Sequence, residues 1–207
     1  MKPPRFIYFD LGNVLLFFDH RRAARQMAEV AGIDAERVYQ VVFGTDLEHR
    51  FETGELDERQ FYEEFCQATD TRPDIDALTL AGNDIFTPNV PLFPIVAALQ
   101  SAGCRLGILS NTSPAHWNYC ADGRYIMIRR AFELAALSYE IKACKPDAKI
   151  FAAAAQLAGV PPQDILFFDD VAGHVDGARA AGFDAVQYRD AQGVASELRA
   201  RGLTFNY

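Results

Sequence analysis

An apolar run near the start of the chain ends in a single carboxylate, and this feature most limits the possible folds. Residues 6–9 (FIYF) are apolar, Asp10 follows them, and Gly12 lies two residues later. A short apolar run of this kind is typical of a parallel strand that is buried on both faces. Asp10 then lies at the carboxyl end of that strand, where open α/β sheets bind ligands. Because Asp-x-Gly is also common turn chemistry, the stretch alone leaves a turn and a functional site both open.

The rest of the chain separates into a helical segment and an alternating segment. Residues 18–88 predict helices and no strand, with Asp residues placed as N-caps and glycines as stops. From residue 89 onward, predicted strands alternate with predicted helices, which indicates a parallel sheet with right-handed crossovers. We therefore expect an α/β fold: a Rossmann-like parallel-sheet core with helices on both faces, formed by residues 1–17 and 89–207, and an inserted α-helical cap formed by residues 18–88.

Composition excludes several classes of partner. The 207 residues carry a formal net charge of −8, which argues against a nucleic-acid or anionic-membrane surface. No apolar run has the length of a membrane span, and no signal-peptide pattern opens the chain, so we expect a cytoplasmic protein. The 4 cysteines contain no Cys-x-x-Cys pair and are expected to be reduced thiols. With no repeat or coiled-coil pattern, the oligomeric state is left open.

Polar side chains follow several of the predicted strands or their connecting loops. In a parallel sheet the carboxyl ends of the strands lie at one edge, so these side chains are expected to converge. Together they offer carboxylates, a hydroxyl, an amide and an ammonium, which suits the handling of a phosphoryl group with a divalent metal. The residues are Asp10, Ser110, Asn111, Lys145, Asp169 and Asp170.

These segments resemble, in order, the four motifs of the haloacid dehalogenase superfamily. The motifs are residues 9–14 (FDLGNV), residues 109–112 (LSNT), Lys145-Pro146, and residues 167–170 (FFDD). The helical insert resembles the α-helical cap of one class of that family. The forms FDLGNV and LSNT are similar to a subgroup associated with sugar-phosphate phosphatases such as glucose-1-phosphate phosphatase.

The resemblance implies a Mg²⁺-dependent phosphatase that acts on a small phosphorylated metabolite, with a sugar phosphate as the subgroup's substrate class. It makes Asp10 the nucleophile, which would form an aspartyl-phosphate. It also implies that the carboxylates of Asp10 and Asp170 and the backbone carbonyl of Gly12 bind Mg²⁺.

The resemblance assigns the remaining motif residues to the phosphoryl group and its surroundings. Ser110 and Lys145 would hold the phosphoryl oxygens. Asn111 would hydrogen-bond the phosphate or the substrate. Asp169 would orient Lys145 or act through water.

Two positions depart from the family pattern. Most phosphatases of the family have a second Asp two residues after the nucleophile as the general acid and base, whereas this chain has Gly12, which cannot transfer a proton. General acid–base catalysis contributes about 10²–10⁴-fold, so we expect a substitute acid or a slower, narrower enzyme. His174 stands where Asp or Asn is usual, and it is a candidate proton shuttle or a supporting side chain. His20 and His49 in the cap are further candidates.

The helical insert holds two polar clusters, residues 20–22 (HRR) and residues 48–50 (EHR). They either face the cleft and bind a substrate hydroxyl or phosphate, or form a solvated helix face. The residues alone do not decide between these readings.

Two other functions remain open at this stage. A metal-independent 2-haloacid dehalogenase also uses an Asp nucleophile and lacks the second Asp, but the adjacent Asp169 and Asp170 would repel each other in a site without a metal. A non-catalytic phosphometabolite-binding protein, inactive because of Gly12, is the third reading. The intact Asp10, Ser110, Lys145 and Asp170 argue against it.

Overall fold

The computed structural model describes residues 3–203 and contains a central five-stranded sheet. All pairings within this sheet are parallel, and the strand order is β5-β4-β1-β6-β7. Two short strands, β2 and β3, pair antiparallel outside it. The strands are β1 (Phe6–Phe9), β2 (Leu16–Phe17), β3 (Thr87–Pro88), β4 (Leu106–Ser110), β5 (Leu134–Leu137), β6 (Ile165–Asp169) and β7 (Asp184–Gln187).

Helices cover both faces of the sheet because its strands are apolar on both sides. In β1, Ile7 and Phe9 pack into one hydrophobic cluster, and Phe6 and Tyr8 pack into the other. The first cluster is closed by α6, α7, α8 and α12, and the second by α10 and α11. These helices are α6 (Phe93–Ser101), α7 (Pro114–Ala121), α8 (Ile126–Ala131), α10 (Ala148–Ala158), α11 (Ala172–Ala180) and α12 (Ala191–Ala200). The predicted Rossmann-like α/β fold is confirmed.

The segment between β2 and β3 is helical and has a hydrophobic cluster of its own. Met27, Val38, Phe65 and Leu78 are among its buried residues. Its helices are α1 (His20–Ala31), α2 (Ala35–Val42), α3 (Leu47–Glu52), α4 (Glu58–Thr69) and α5 (Ile75–Asn83). The separate cluster agrees with a cap, and the division into residues 18–88 and the remainder stays a prediction.

Local capping chemistry explains where these helices begin and end. The side chains of Asp19, Asp34 and Asp57 accept hydrogen bonds from backbone N–H groups of the first turns of α1, α2 and α4. Gly32 ends α1 in the left-handed region with φ 68°, a conformation that glycine adopts without a steric cost. The helix boundaries predicted from these signals therefore agree closely with the structure.

Two sequence expectations are corrected. Residues 18–88 were expected to contain no strand, but Thr87 and Pro88 form β3, where a proline is tolerated because the strand is a short edge. A third core strand was expected over residues 132–138, but β5 covers only Leu134–Leu137, and Ser138 begins the short helix α9 (Ser138–Ile141). No helix within residues 3–203 is long and apolar enough to cross a membrane.

Candidate active site

The polar residues at the strand ends meet at one edge of the sheet. Strand β1 lies between β4 and β6, so Asp10, Ser110 and Asp169 follow or end three adjacent strands. The Asp10 N–H donates to the carbonyl of Phe168 at 2.9 Å, which extends the β1–β6 pairing up to the carboxylate. Lys145 comes from the loop between α9 and α10. The predicted convergence is therefore observed.

The Lys145 ammonium lies at the centre of this group. Its Nζ is 3.0 Å from Asp10 Oδ1 and 2.6 Å from Asp169 Oδ2, and it donates to the Leu109 carbonyl at 3.1 Å. Burial on its own would lower the pKa of Lys145, but the charges of the two carboxylates outweigh burial and raise it. Lys145 therefore stays positively charged between two acids.

Asn111 fastens the loop that carries Lys145. Its Oδ1 accepts the Lys145 backbone N–H at 2.8 Å, and its Nδ2 donates to the Lys145 carbonyl at 3.1 Å. The Ser110 hydroxyl is buried and donates to the Asn111 carbonyl at 3.1 Å. The Asn111 side chain, which was expected to contact phosphate or substrate, thus holds both backbone groups of Lys145.

The two oxygens of the Asp10 carboxylate are in different environments. Oδ1 accepts the Leu11 N–H at 2.7 Å and contacts the Lys145 ammonium. Within residues 3–203, Oδ2 accepts no hydrogen bond. Burial raises the pKa of Asp10, and the Lys145 charge opposes that rise. One oxygen is therefore fixed, and the other is left for a reacting group or a cation.

Asp169 and His174 form a supporting pair behind Lys145. Asp169 Oδ1 accepts the Val171 N–H at 2.8 Å, and His174 Nδ1 lies 3.1 Å from Oδ1 and 3.2 Å from Oδ2. Burial opposes ionisation of Asp169, but the Lys145 charge and the His174 hydrogen bond lower its pKa to about 2. His174 therefore contacts the carboxylate that holds Lys145.

The donor atoms of this edge suit a hard divalent cation. Asp10, Asp169 and His174 place one potential ligand atom each within 4.8 Å of one another, but Lys145 already pairs with both of these carboxylates. Asp170 is half-buried, and burial together with the charge of Asp169 raises its pKa. Three neighbouring carboxylates face one ammonium, so negative charge is in excess, and carboxylate and carbonyl oxygens are the ligands that Mg²⁺ prefers.

A side chain at residue 12 would require the Phe18 ring or the backbone to move. A Cβ built on Gly12 would lie 2.7 Å from a ring carbon of Phe18, closer than real Cβ atoms approach. The Phe18 ring also packs 4.8 Å from the His20 ring and 6.3 Å from the Phe86 ring, between centroids. An aromatic ring therefore fills the place of the second Asp of the family pattern.

A cleft of about 340 Å³ lies between the helical segment and the strand ends. Its titratable lining residues all come from helices: His20 of α1, Glu48 and Glu52 of α3, and His116 of α7. Its other lining residues are Leu11, Gly12, Phe18, Ile85, Phe86, Ser110, Asn111 and Thr112. The sequence reasoning named His20 as a minor candidate and missed Glu52 and His116.

The two polar clusters of the insert divide between the cleft and the surface. Arg21, Arg22 and Arg50 are engaged by carboxylates of their own segment, at 2.6, 3.0 and 2.7 Å respectively. His49 is exposed and does not line the cleft. Of these clusters only His20 and Glu48 line the cleft, and they contact each other at 3.2 Å.

A second cavity, of about 620 Å³, adjoins this cleft between the helices of the insert and the start of α7. The two share three lining residues, Glu48, Glu52 and His116. The walls of the second cavity are mostly apolar and include Ala23, Met27, Val42, Phe43, Phe51, Phe61, Leu78 and Ala115. Polar groups are therefore concentrated where the two spaces join.

A signal for the two glutamates was present in the sequence. Leu47 and Phe51 are spaced i, i+4 and form the buried side of α3. Glu48 and Glu52 each follow one of them and are also spaced i, i+4, so they lie on one side of the helix beside its buried face. Two like charges at this spacing are unfavourable on a helix, which indicates a function or a partner for the pair.

Comparison with known proteins settles the family. Residues 5–182 match the profile of the haloacid dehalogenase-like hydrolases, which is most of the chain. The chain is a haloacid dehalogenase-like hydrolase. The family resemblance found in the four motifs is thereby confirmed.

The relatives of this hydrolase include both chemistries that the sequence left open. It is 28% identical over 221 residues to Phosphatase MT3486 of Mycobacterium tuberculosis, covering 95% of this chain and 94% of the relative. It superposes on HAD family enzyme bt-2542 of Bacteroides thetaiotaomicron with a TM-score of 0.81 at 21% identity, covering 96% and 100% of the two chains. L-2-haloacid dehalogenase of Xanthobacter autotrophicus matches with a TM-score of 0.66 at 20% identity, covering 95% and 83%. At these identities the two structures show the fold alone.

Proposed function

We propose that this hydrolase is a Mg²⁺-dependent phosphatase that cleaves a small phosphorylated metabolite through an aspartyl-phosphate on Asp10. The observation that carries the proposal is the asymmetry of the Asp10 carboxylate. Lys145 and the Leu11 N–H hold Oδ1, and within residues 3–203 Oδ2 accepts no hydrogen bond. A nucleophilic carboxylate needs this arrangement, because it must be held in place and still offer an oxygen for attack.

Asp10, Asp170 and the Gly12 carbonyl are the groups that would hold Mg²⁺. The ion supplies charge compensation for phosphoryl oxygens when it is bound. Its presence also suits the excess of carboxylates at this edge, which the Lys145 ammonium alone does not balance. A complex of bt-2542 with magnesium and inorganic phosphate supports the same chemistry in a protein of this fold.

Lys145 and Ser110 are the groups that would bind the phosphoryl oxygens. The ammonium is fixed by Asp10, Asp169 and the clamp of Asn111, so its position needs little rearrangement on substrate binding. Ser110 lines the cleft at the end of β4, next to Asp10. In this proposal Asp169 orients Lys145, and His174 supports Asp169.

A metal-independent 2-haloacid dehalogenase is the second candidate, because Gly12 and the shared fold agree with it. The charges argue against it. Asp170 next to the buried Asp169 has a raised pKa because burial and the neighbouring charge both disfavour its ionised form. A metal-free reaction gives this second carboxylate no counter-charge, whereas a phosphatase uses it as a ligand.

Two features point to different leaving groups. The motif forms FDLGNV and LSNT resemble sugar-phosphate phosphatases, which favours a polar leaving group. The apolar cavity beside Glu48 and Glu52 favours a leaving group with an apolar part. A panel that contains sugar phosphates and aryl or alkyl monophosphates, ranked by kcat/KM, distinguishes the two.

Hydrolysis of p-nitrophenyl phosphate tests the reaction class. We expect turnover with Mg²⁺, loss of turnover with EDTA, and trapping of phosphate on the peptide that contains Asp10. Asp10→Asn should abolish both turnover and trapping. Asp176→Asn is the matched control, because that carboxylate is 74% exposed on α11, away from the cleft.

Three outcomes would contradict the proposal in different ways. Turnover that persists in EDTA rules out the metal dependence. Halide release from a 2-haloacid without metal identifies a dehalogenase. A protein that binds phosphate esters and turns over none of the panel is the non-catalytic binding protein.

A further inference from the structure

Cleavage of an ordinary phosphate ester requires a proton for the leaving oxygen, and the motif residues of this chain do not provide one. A poor leaving group departs as an alcohol only if an acid protonates it, which contributes about 10²–10⁴-fold. The position two residues after Asp10 is glycine, and the Phe18 ring occupies the adjacent space. The proton must therefore come from another side chain of the cleft.

The cleft contains four titratable side chains among its lining residues, and two of them are poor proton donors. Burial and the charge of His20 lower the pKa of His116 to about 4, so it is neutral at pH 7. Burial also lowers the pKa of His20. Burial raises the pKa of both Glu48 and Glu52, so these carboxyls retain a proton where ordinary glutamates have lost it.

Geometry separates the two glutamates. Glu48 Oε1 contacts His20 Nε2 at 3.2 Å, so this carboxyl already has a partner. Within residues 3–203, the Glu52 carboxyl makes no side-chain hydrogen bond or ion pair, and it lines both the cleft and the adjoining cavity. Glu52 therefore lines both spaces and carries a carboxyl that no side chain within residues 3–203 holds.

The backbone of Glu52 is fastened to the sheet domain beside the phosphoryl site. The buried Ser138 hydroxyl donates to the Glu52 carbonyl at 2.7 Å and accepts the Thr112 N–H at 2.9 Å. The carbonyl of Gly54, two residues after Glu52, accepts a hydrogen bond from the Lys142 ammonium at 2.5 Å. These contacts fix the end of α3 over the strand ends, as a proton donor for that site would require.

The titratable neighbours of Glu52 come from α3, the loop between α9 and α10, α1 and α7. Lys145 opposes the rise in its pKa, and Glu48 stands one turn earlier on the same helix. Cys144 lies close enough for Glu52 to raise the thiol pKa. His20 and His116 line the same cleft.

We propose that Glu52 is the general acid and base of this hydrolase and replaces the proton donor that is absent at Gly12. The proposal rests on the phosphatase function proposed above. It explains why a half-buried carboxyl that has no salt-bridge partner within residues 3–203 lies where the cleft meets the adjoining cavity.

The chemistry balances in two steps. In the first step, an Asp10 oxygen forms a bond to phosphorus, the bond between phosphorus and the ester oxygen breaks, and the Glu52 proton passes to that oxygen, which gives an alcohol and the Glu52 carboxylate. In the second step, the Glu52 carboxylate takes a proton from water as the water oxygen attacks phosphorus. The bond between Asp10 and phosphorus breaks, inorganic phosphate forms, and Glu52 is again protonated.

The test compares two esters that differ in their need for a proton. Nitrophenolate leaves as a stable anion, whereas benzyl phosphate must release an alcohol. In Glu52→Gln with Mg²⁺, we expect kcat/KM for benzyl phosphate to fall by about 10²–10⁴-fold and that for p-nitrophenyl phosphate by less than about tenfold. Because the second step also loses its base, the variant should release a burst of one nitrophenolate per enzyme and accumulate phosphoenzyme.

Control variants and the burst distinguish a loss of proton transfer from a general loss of activity. Glu55→Gln, an exposed carboxyl three residues away, should match wild type with both esters. If kcat/KM of Glu52→Gln falls equally for the two esters and no burst appears, Glu52 is not the general acid and base. The same conclusion follows if kcat/KM depends on the leaving group in Glu48→Gln and not in Glu52→Gln. A wild-type enzyme that cleaves neither ester would refute the phosphatase function itself.

Discussion

The contact between Gly12 and Phe18 gives a prediction whose size follows from the structure. Gly12→Ala adds one methyl group, and its carbon would lie 2.7 Å from a ring carbon of Phe18. Ordinary carbon contacts are about 3.5–4.0 Å, so about 1 Å must be gained by moving the ring or the backbone. Overpacking of this kind costs about 1–3 kcal/mol. The backbone of Gly12 is not in the left-handed region, so the expected loss is steric.

A double-mutant cycle separates this contact from other effects. Phe18→Ala removes the ring, so Gly12→Ala in that background should be nearly neutral, with a coupling energy of about 1–3 kcal/mol. Urea unfolding measures it. A loss of about 2 kcal/mol at a slope of about 2–3 kcal/mol/M lowers the midpoint by roughly 0.7–1 M.

One result of the double-mutant cycle would contradict the role given to the Phe18 ring. If Gly12→Ala changes the midpoint equally in the wild-type and Phe18→Ala backgrounds, the Phe18 ring does not exclude a side chain at residue 12. The account of why a second acid is missing would then be wrong. Phe18→Leu, which keeps an apolar side chain but removes the ring, is the milder control for general loss of packing.

Three further predictions concern the charges and anchors of the site. Glu52→Gln should make the free energy of unfolding less dependent on pH. The folded pKa of Glu52 is raised above its unfolded value of about 4.3, so its contribution to stability is fully present below pH 4 and is lost as the pH rises to about 7. The fall in the urea unfolding midpoint between pH 5 and pH 8 should therefore be smaller in the variant than in wild type. Lys145→Met should cost about 3–5 kcal/mol, because Asp10 and Asp169 are left buried without their counter-charge, and an unchanged urea midpoint would contradict this. Ser138→Ala should cost about 1–3 kcal/mol by leaving the Glu52 carbonyl without its donor, and it should reduce benzyl phosphate cleavage more than p-nitrophenyl phosphate cleavage.

Features set by neighbouring residues were predictable from the sequence. The Asp side chains that cap α1 and α4 bond backbone N–H groups within three residues, so their signal is local. The convergence of Asp10 and Asp169 was also predictable, because the carboxyl ends of parallel strands share one edge. Helices α8 and α9 were not predicted, since they are short and carry no side-chain cap.

Features set by the packing of the insert on the sheet were not predictable. The sequence makes His20 and His49 equally good candidates for proton transfer, but only His20 lines the cleft. Glu52 reaches the site because its carbonyl is bound by Ser138, a residue 86 positions further along the chain. No periodicity or cap encodes that contact, since it arises only when the two segments pack together.

A proton donor carried by the insert would connect substrate choice to chemistry. Asp10 and Lys145 lie at the carboxyl edge of the sheet and, in the proposed mechanism, engage any phosphoryl group that reaches them. Glu52 instead lines both the cleft and the adjoining cavity, so in the proposed mechanism a proton reaches only those esters whose oxygen lies where the two spaces meet. Esters whose leaving group departs as a stable anion do not need a proton, so their oxygen need not lie near Glu52. The wild-type enzyme should therefore discriminate sharply among alkyl phosphates and weakly among nitrophenyl phosphates, and Glu52→Gln should remove most of the difference among the alkyl esters. Equal discrimination in wild type and variant would show that shape alone, without proton transfer, selects the substrate.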